Sequence, residues 1–214
     1  MNPRPYQSAS RDAAASRTRD RILAAAATVL STAEGIDDFS LRSVAKKAGV
    51  TRLTVYNQFG SRRALLEAVF DERAARGGLH RLGEAMATSD PHAALLQVIA
   101  IFCDFWTFDP GALGLLHAAG AGDPDLALSV GERNERRRRL FTALVRRMAN
   151  NGRLRPKAER DLVDTLFALT SFWFFSQLAT AGRTATAAGR IIQDLATDAV
   201  RRALAAKKQI GRID

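Results

Sequence analysis

The chain has 214 residues, 47% of them hydrophobic, which is enough for one large or two modest buried cores and excludes disorder as the default state. The formal net charge is +10. Residues 1–76 hold 13 Lys/Arg and 8 Asp/Glu, and residues 77–214 hold 19 Lys/Arg and 14 Asp/Glu, so each segment carries half of this charge. Because the positive charge is not confined to one segment, it only weakly supports a polyanionic partner. A single cysteine, Cys103, excludes an internal disulfide framework and favours a reducing cytoplasm.

The N-terminal third predicts four helices. Residues 1–15 are polar, lack the apolar centre of a secretion signal and predict a flexible arm. A first helix is expected over 17–33, and Ser40 is placed to cap a second helix that Gly49 ends. Thr51 then caps a third helix, and Ser61 opens a fourth. Two short helices joined by a glycine turn need a supporting helix on each side, so 16–76 predicts a helix-turn-helix domain.

The remainder, 77–214, predicts a second helical domain. Gly77 and Gly78 mark the boundary, and Asp90-Pro91 opens a long apolar helix that ends at 109–111. A short helix over 112–119, a long one over 124–150 and two closing helices over 157–180 and 184–208 follow. The fold class is therefore all-α, with about nine helices and no strand candidate.

Three stretches of this second half have a local interpretation. The uncharged run 165–182 has about the length of a membrane span, but its serines, threonines and glutamine predict a core or subunit-interface helix instead. The four arginines at 136–139 predict a solvated helix face, with some of them available to pair across helices. Cys103 stands in an apolar run and is predicted to be a buried structural thiol.

The third helix carries the chemistry of base recognition. The second helix of a helix-turn-helix enters the major groove, so its outward residues need hydrogen-bonding groups or small apolar tips. Arg52 can bond a guanine edge, Asn57 or Gln58 an adenine, and Leu53 can touch a thymine methyl group. Val50, Val55 and Phe59 are expected to face inward.

The stretch AKKAGVTRLTVYNQFGSRRALLEAVF, which begins at Ala45, resembles the DNA-binding half of the TetR family of bacterial transcriptional repressors. The resemblance covers about a third of the chain and implies phosphate contacts from Thr51, Thr54 and Tyr56, helped by Ser40 and Arg42 from the second helix and by Arg62 from the fourth. Leu53, Gln58 and Arg62 depart from the commonest family residues, which leaves the base preferences open. The predicted DNA-binding set is Ser40, Arg42, Thr51, Arg52, Leu53, Thr54, Tyr56, Asn57, Gln58 and Arg62.

The second domain lacks the sequence motifs of an enzyme. Its three histidines are not at metal-ligand spacing, and no nucleophile elbow, Walker loop or dinucleotide fingerprint occurs, so no catalytic residue, metal or cofactor is predicted. It is instead rich in aromatic residues, most of which must pack in a core. The resemblance implies an effector pocket, with the candidates Phe102, Phe105, Trp106, Leu116, His117, Phe141, Leu144, Thr170, Trp173, Phe174 and Gln177. It also implies a four-helix dimer interface, with the candidates Leu166, Phe172, Phe175, Ile191, Leu195 and Val200.

The sequence thus predicts a cytoplasmic, ligand-responsive transcriptional regulator. As a homodimer it would repress from a palindromic double-stranded operator and be released by a small, largely apolar effector, without membrane association. A small-molecule binding or interaction protein that uses the head as a scaffold, an activator and a corepressor-dependent regulator are the alternatives.

Overall fold

The computed structural model describes residues 6–33, 35–119, 124–149, 154–180 and 182–210. Over these residues the chain is helical, with two 3-10 turns, at Ile36–Asp38 and Leu79–Arg81, and no strand. The all-α prediction is confirmed, although there are more helices than the nine expected. The helices are α1 (Tyr6–Thr32), α2 (Leu41–Ala48), α3 (Arg52–Phe59), α4 (Arg62–Arg76), α5 (Leu82–Ala87), α6 (Pro91–Phe108), α7 (Pro110–Ala119), α8 (Pro124–Met148), α9 (Pro156–Leu169), α10 (Phe172–Leu178) and α11 (Ala185–Ile210).

The contacts divide the chain into two compact units. Unit 1 comprises Met1–Glu72 and Pro110–Leu128, and unit 2 comprises Arg73–Asp109 and Ser129–Asp214. Unit 1 therefore includes α7, which lies far along the chain from the other helices of that unit. The sequence-based boundary between residues 76 and 77 stays a prediction.

Unit 1 is built around the buried faces of α1 to α4. Ile22, Val44, Val55, Leu65 and Val69 are fully buried, as the helical spacing of these residues requires. Helix α7 packs against α1, and Gly111 permits this approach. A Cβ atom on Gly111 would lie 3.3 Å from the Cα and carbonyl oxygen of Ser31, so a larger residue would push the two helices apart.

Helix α1 begins at Tyr6, so residues 6–15, which were predicted to form a flexible arm, are helical. The prediction rested on the polarity of this segment. Polarity alone does not prevent a helix, however, and there is no Gly or Pro between Tyr6 and Thr32 to interrupt one. The first five residues of the predicted arm lie outside the described part of the chain.

Unit 2 is organised around α6, which is buried along most of its length and contacts α5, α10 and α11. Asp90 caps it as predicted, because its Oδ1 accepts a hydrogen bond from the His92 N–H at 2.9 Å and Pro91 follows at the first position. Within the described residues α6 is the one helix long and apolar enough to cross a membrane, and half of it is buried inside the structure. A buried core helix of this kind meets the same criteria of length and composition.

The helix predicted over 157–180 is interrupted. Helix α9 ends at Leu169, and α10 starts at Phe172 with Ser171 as its N-cap, whose hydroxyl accepts from the Phe174 N–H at 3.2 Å. The apolar periodicity continues across this break, so the cap is visible in the sequence only in retrospect. The short helix α5 was likewise not predicted.

The arginine run on α8 is not uniformly solvated. Arg136 and Arg139 are exposed as expected, and Arg138 pairs with Asp164 on α9, which is the cross-helix alternative. Arg137, however, is buried. The prediction of a solvated face is therefore wrong for this residue, because α8 rotates that position towards the aromatic core of unit 2.

Candidate nucleic-acid interface

The turn between α2 and α3 is fixed by caps on both sides. Ser40 accepts a hydrogen bond from the Ser43 N–H, and Ser43 accepts one in return from the Ser40 N–H, both at 3.0 Å. Gly49 ends α2 in the left-handed conformation, with φ of 65° and ψ of 37°, and Thr51 caps α3 by accepting from the Thr54 N–H at 3.0 Å. These three local signals set where each helix begins and ends, as the sequence predicted.

One side of α3 is held by the core. Val55 and Phe59 are buried, as predicted, whereas Val50, just before the helix, is half-buried. Arg19 on α1 supports the end of α3, because its Nη1 donates to the Gln58 carbonyl at 3.1 Å and its guanidinium lies 4.4 Å from the centre of the Phe59 ring. The orientation of α3 is thus determined by contacts with α1 as well as α2.

The other side of α3 is open. Leu53 is 66% exposed and Tyr56 is 55% exposed, which is unusual for such large apolar side chains. Thr51, Arg52 and Asn57 are also exposed, while Thr54 and Gln58 are half-buried. The predicted base- and phosphate-contacting residues of α3 therefore share one accessible surface with donors, acceptors and apolar tips.

The charge along the segment from Ser40 to Leu66 has one sign. Between Ser40 and Leu66 there is no acidic residue, whereas the basic residues are Arg42, Lys46, Lys47, Arg52, Arg62 and Arg63. Arg42, Lys46 and Lys47 are exposed on α2. The two lysines were missing from the predicted set, although the absence of acidic residues over this window could have revealed them.

Two predicted phosphate-contacting residues have partners inside unit 1. Arg62 donates through Nε to the Phe39 carbonyl and through Nη2 to the Ile36 carbonyl, each at 3.0 Å, and its guanidinium lies 5.9 Å from the Phe39 ring centre. Ser40 is engaged in the cap of α2. Both side chains therefore hold the connector before α2 in place.

The residues predicted to form an effector pocket are divided between the two units. Leu116 is buried and His117 half-buried on α7 in unit 1, where His117 Nδ1 lies 2.8 Å from the Leu113 carbonyl oxygen. In unit 2 the candidates on α10 are the more accessible ones, since Trp173 is 54% exposed, Gln177 is exposed and Phe174 is half-buried. The buried candidates of unit 2 are Phe102, Phe105, Trp106, Phe141, Leu144 and Thr170.

These buried aromatic residues pack on one another. The Phe105 and Trp106 ring centres are 4.6 Å apart, Trp106 and Phe172 are 5.7 Å apart in an edge-to-face arrangement, and Phe102 lies 6.3 Å from Phe141. The Arg137 guanidinium lies near the rings of both Phe102 and Phe167, the latter on α9. We call Phe102, Phe105, Trp106, Phe141, Phe167 and Phe172 the aromatic cluster. The Trp106 indole N–H donates to the Thr170 carbonyl at 3.0 Å, which joins the cluster to the break between α9 and α10.

Two cavities of unit 2 are lined by other residues. One, of about 720 Å³, lies between the Gly77-Gly78 segment, α6 and α11, and the other, of about 1030 Å³, is a groove between α8 and α9. None of the predicted pocket residues lines either of them. No group of three or more His, Cys, Asp or Glu residues that could hold a metal ion occurs in the described parts of the chain.

The predicted dimer-interface residues fall into two groups. Leu166, Phe172, Phe175 and Val200 are buried within unit 2, whereas Leu195 is 41% exposed and Ile191 is half-buried on α11. Ile191 and Leu195 are one helical turn apart and therefore lie on the same face. Their role in a subunit interface stays a prediction.

Residues 22–69 match the sequence model of bacterial regulatory proteins of the tetR family. The HTH-type transcriptional regulator SrpR of Pseudomonas putida is 44% identical over 61 residues, which is 28% of this chain and 28% of SrpR, so the likeness spans little more than a quarter of that relative.

Solved structures are similar over most of the chain. A TetR transcription regulator from Haloarcula marismortui superposes with a TM-score of 0.67 at 15% identity, covering 87% of this chain and 98% of the other. The multidrug binding protein EbrR, solved with imidazole, gives a TM-score of 0.55 at 23% identity over 83% and 93% of the two chains. At these identities the two structures establish a shared fold.

Proposed function

We infer that the chain carries a DNA-binding domain of the TetR family of bacterial regulatory proteins and is a transcriptional regulator that binds double-stranded DNA through α3. The observation that carries the proposal is the open face of α3. Polar and basic side chains are presented there on a helix whose ends are capped, in a stretch from Ser40 to Leu66 without a single acidic residue.

We assign two kinds of contact to this surface. Arg52, Leu53, Asn57 and Gln58 contact base edges in the major groove, and Thr51, Thr54 and Tyr56 donate to phosphate oxygens. The exposed cations of α2, Arg42, Lys46 and Lys47, neutralise phosphates and release counterions. Arg62 and Ser40 support the surface from inside unit 1 through the hydrogen bonds described above.

We further propose that the protein acts in the cytoplasm as a homodimer and represses transcription from a palindromic operator. Two heads would then occupy half-sites roughly 34–36 Å apart or a multiple of this. The exposed Leu195 and the half-buried Ile191 on α11 form the apolar surface that we place in the dimer interface. Light scattering on the wild type and on Leu195→Arg measures the mass in solution, and a dimeric Leu195→Arg variant would exclude this face.

The ligand-responsive part of the function is proposed for unit 2. A small molecule bound there would favour a head arrangement with lower operator affinity, through a coupling of about 1–3 kcal/mol. EbrR, which has a similar fold, is described as a multidrug binding protein. That description supports a search for small-molecule ligands of this chain.

The DNA-binding proposal is tested by selecting sheared genomic DNA on the purified protein. Enriched fragments are titrated in gel-shift experiments at two salt concentrations, with Arg52→Ala as the test variant and Arg136→Gln, an exposed arginine of unit 2, as the control. We expect a short inverted repeat whose affinity falls steeply with salt and whose sequence preference changes in Arg52→Ala. Recovery of random fragments only would refute the proposal and favour a small-molecule binding protein.

A further inference from the structure

Arg137 on α8 is a buried cation that has no anionic partner in the described part of the chain. It is 8% exposed, and among the described residues no carboxylate lies within 4 Å of its guanidinium. Its Nη1 donates to the Thr170 carbonyl at 2.8 Å and its Nη2 to Asn134 Oδ1 at 3.4 Å, while Nε is buried and has no hydrogen-bond partner among the residues that the structure describes. The other buried arginine of unit 2, Arg73, pairs with Asp109 at 3.0 Å.

An unpaired buried charge is costly, because the water that it loses is not replaced by an opposite charge. Burial, and to a lesser extent the neighbouring charge of Arg138, lowers the pKa of Arg137 to about 10, so the side chain is still charged near neutral pH. The position therefore holds a positive charge at the edge of the aromatic cluster under working conditions.

Two aromatic rings lie close to the Arg137 guanidinium, and one of them is only half-buried. Its guanidinium lies 4.0 Å from the ring centre of Phe167 and 5.8 Å from that of Phe102. Phe167 is half-buried, and its ring is also approached by Arg138 at 4.1 Å. Arg138 lines the groove of about 1030 Å³ between α8 and α9, so the Phe167 ring contacts both Arg137 and a side chain of that groove.

We propose that Arg137 anchors the anionic group, a carboxylate in the simplest case, of a small aromatic or aliphatic ligand whose apolar part packs against the aromatic cluster. The carboxylate would accept hydrogen bonds from Nε and one Nη of the guanidinium in the bidentate geometry that arginine offers. This inference rests on the proposed function, because such a ligand would be the effector, and it specifies an apolar acid rather than a neutral apolar compound.

The anchor connects to the break between α9 and α10. Thr170, at the end of α9, offers one carbonyl oxygen to both Arg137 Nη1 and Trp106 Nε1. A carboxylate bound to Nε and Nη2, the nitrogen beside Nε–H, would replace Asn134 Oδ1 and leave the Nη1 bond to the Thr170 carbonyl in place, so the ligand would be held next to this break. A purely structural role of Arg137, as a cation that caps the C-terminal end of α9, would explain its hydrogen bond to the Thr170 carbonyl. It does not explain the buried Nε–H, which only an additional acceptor would satisfy.

The test uses the full-length protein without DNA. The Nε–H resonances of arginine are recorded by NMR near pH 7, and that of Arg137 is identified by its absence from the spectrum of Arg137→Lys. Sodium benzoate and sodium 2-naphthoate are the probes, and benzamide and 2-naphthamide at the same ionic strength are the neutral controls. We expect a saturable shift of the Arg137 resonance with the carboxylates and none with the amides.

The affinity of 2-naphthoate is then measured by tryptophan fluorescence, since Trp106 lies in the cluster. Arg137→Gln should weaken binding at least about tenfold, as expected for the loss of a charge-assisted hydrogen bond, and the matched control Arg136→Gln should leave it unchanged. Circular dichroism checks the folding of each variant, and the wild-type NMR result stands even if Arg137→Gln does not fold. The proposal is overturned if neither carboxylate shifts the Arg137 resonance at any concentration up to its solubility limit.

The outcome is independent of the DNA experiment. If the carboxylates move the Arg137 resonance but the protein selects no operator, the anion site stands and the regulator proposal fails. If an operator is selected while no carboxylate binds, the reverse holds. A carboxylate affinity that is equal in the wild type and Arg137→Gln also refutes the site.

Discussion

Replacing Arg62 distinguishes a structural role of this side chain from a role in contacting DNA. Its two hydrogen bonds to the carbonyls of Phe39 and Ile36, both at 3.0 Å, tie α4 to the connector before α2. Hydrogen bonds from a charged donor contribute about 1.5–3 kcal/mol each, and these two are only partly buried and share one side chain. We therefore expect Arg62→Ala to reduce the stability of this connector by about 2 kcal/mol in all.

Hydrogen exchange measured by mass spectrometry on peptides covering 36–60 localises this effect. A loss of about 2 kcal/mol corresponds to an opening equilibrium roughly thirtyfold more favourable in Arg62→Ala. Arg63→Ala is the matched control, because Arg63 makes a partly exposed ion pair with Glu67 one turn along α4, which is worth only about 0.3–0.5 kcal/mol.

The salt dependence of operator binding completes the experiment. An arginine that neutralises one phosphate contributes about 0.9 to the slope of log affinity against log salt concentration. We expect the slope to be unchanged in Arg62→Ala and to fall by about that amount in Lys47→Ala. An Arg62→Ala protein with unchanged exchange and a slope lowered by about 0.9 would refute the structural role and restore Arg62 to the phosphate-contacting set.

Three further outcomes are expected. Gly49→Ala should destabilise unit 1 by about 1 kcal/mol, because an L-residue is strained at φ of 65° even though its Cβ would meet no atom within 4 Å. Gly131→Ala, inside α8, should instead stabilise unit 2 by about 0.5–1 kcal/mol, because alanine favours the helix more than glycine does. Equal effects of the two substitutions in urea unfolding would contradict this expectation. Arg52→Ala should alter the selected sequence at one operator position at a cost of about 1–3 kcal/mol, and a uniform loss over all sequences would move Arg52 to the phosphate contacts. Burial, and to a lesser extent the charge of Asp104, raises the pKa of Cys103 from 9.0 to about 12, so at pH 8 iodoacetamide should alkylate it about a thousandfold more slowly in the folded than in the unfolded protein. Because the folded protein favours the neutral thiol, the contribution of Cys103 to the free energy of unfolding is complete below pH 9 and declines as the pH rises towards 12. Rapid alkylation of the folded protein would show that the thiol is accessible and would contradict this expectation.

Features that depend on a few neighbouring residues could be predicted from the amino-acid sequence. The caps at Ser40, Thr51 and Asp90 and the left-handed Gly49 are short-range hydrogen-bond and steric patterns, so they could be predicted together with the helices that they bound. The inward position of Val55 and Phe59 followed from the same helical spacing. For this reason the helix-turn-helix and its open face were visible before any tertiary contact was known.

Tertiary structure decided the features that depend on residues distant in the chain. The sequence could not show that Arg62 bonds to carbonyls more than twenty positions earlier, or that α7 belongs to unit 1. It also favoured a solvated face for the whole arginine run, whereas the rotation of α8 buries Arg137 against the aromatic cluster and leaves Arg138 to the carboxylate of Asp164. Helical periodicity fixes which residues share a face, but only the packing of that face against other helices decides whether a charge on it meets water, a carboxylate or neither.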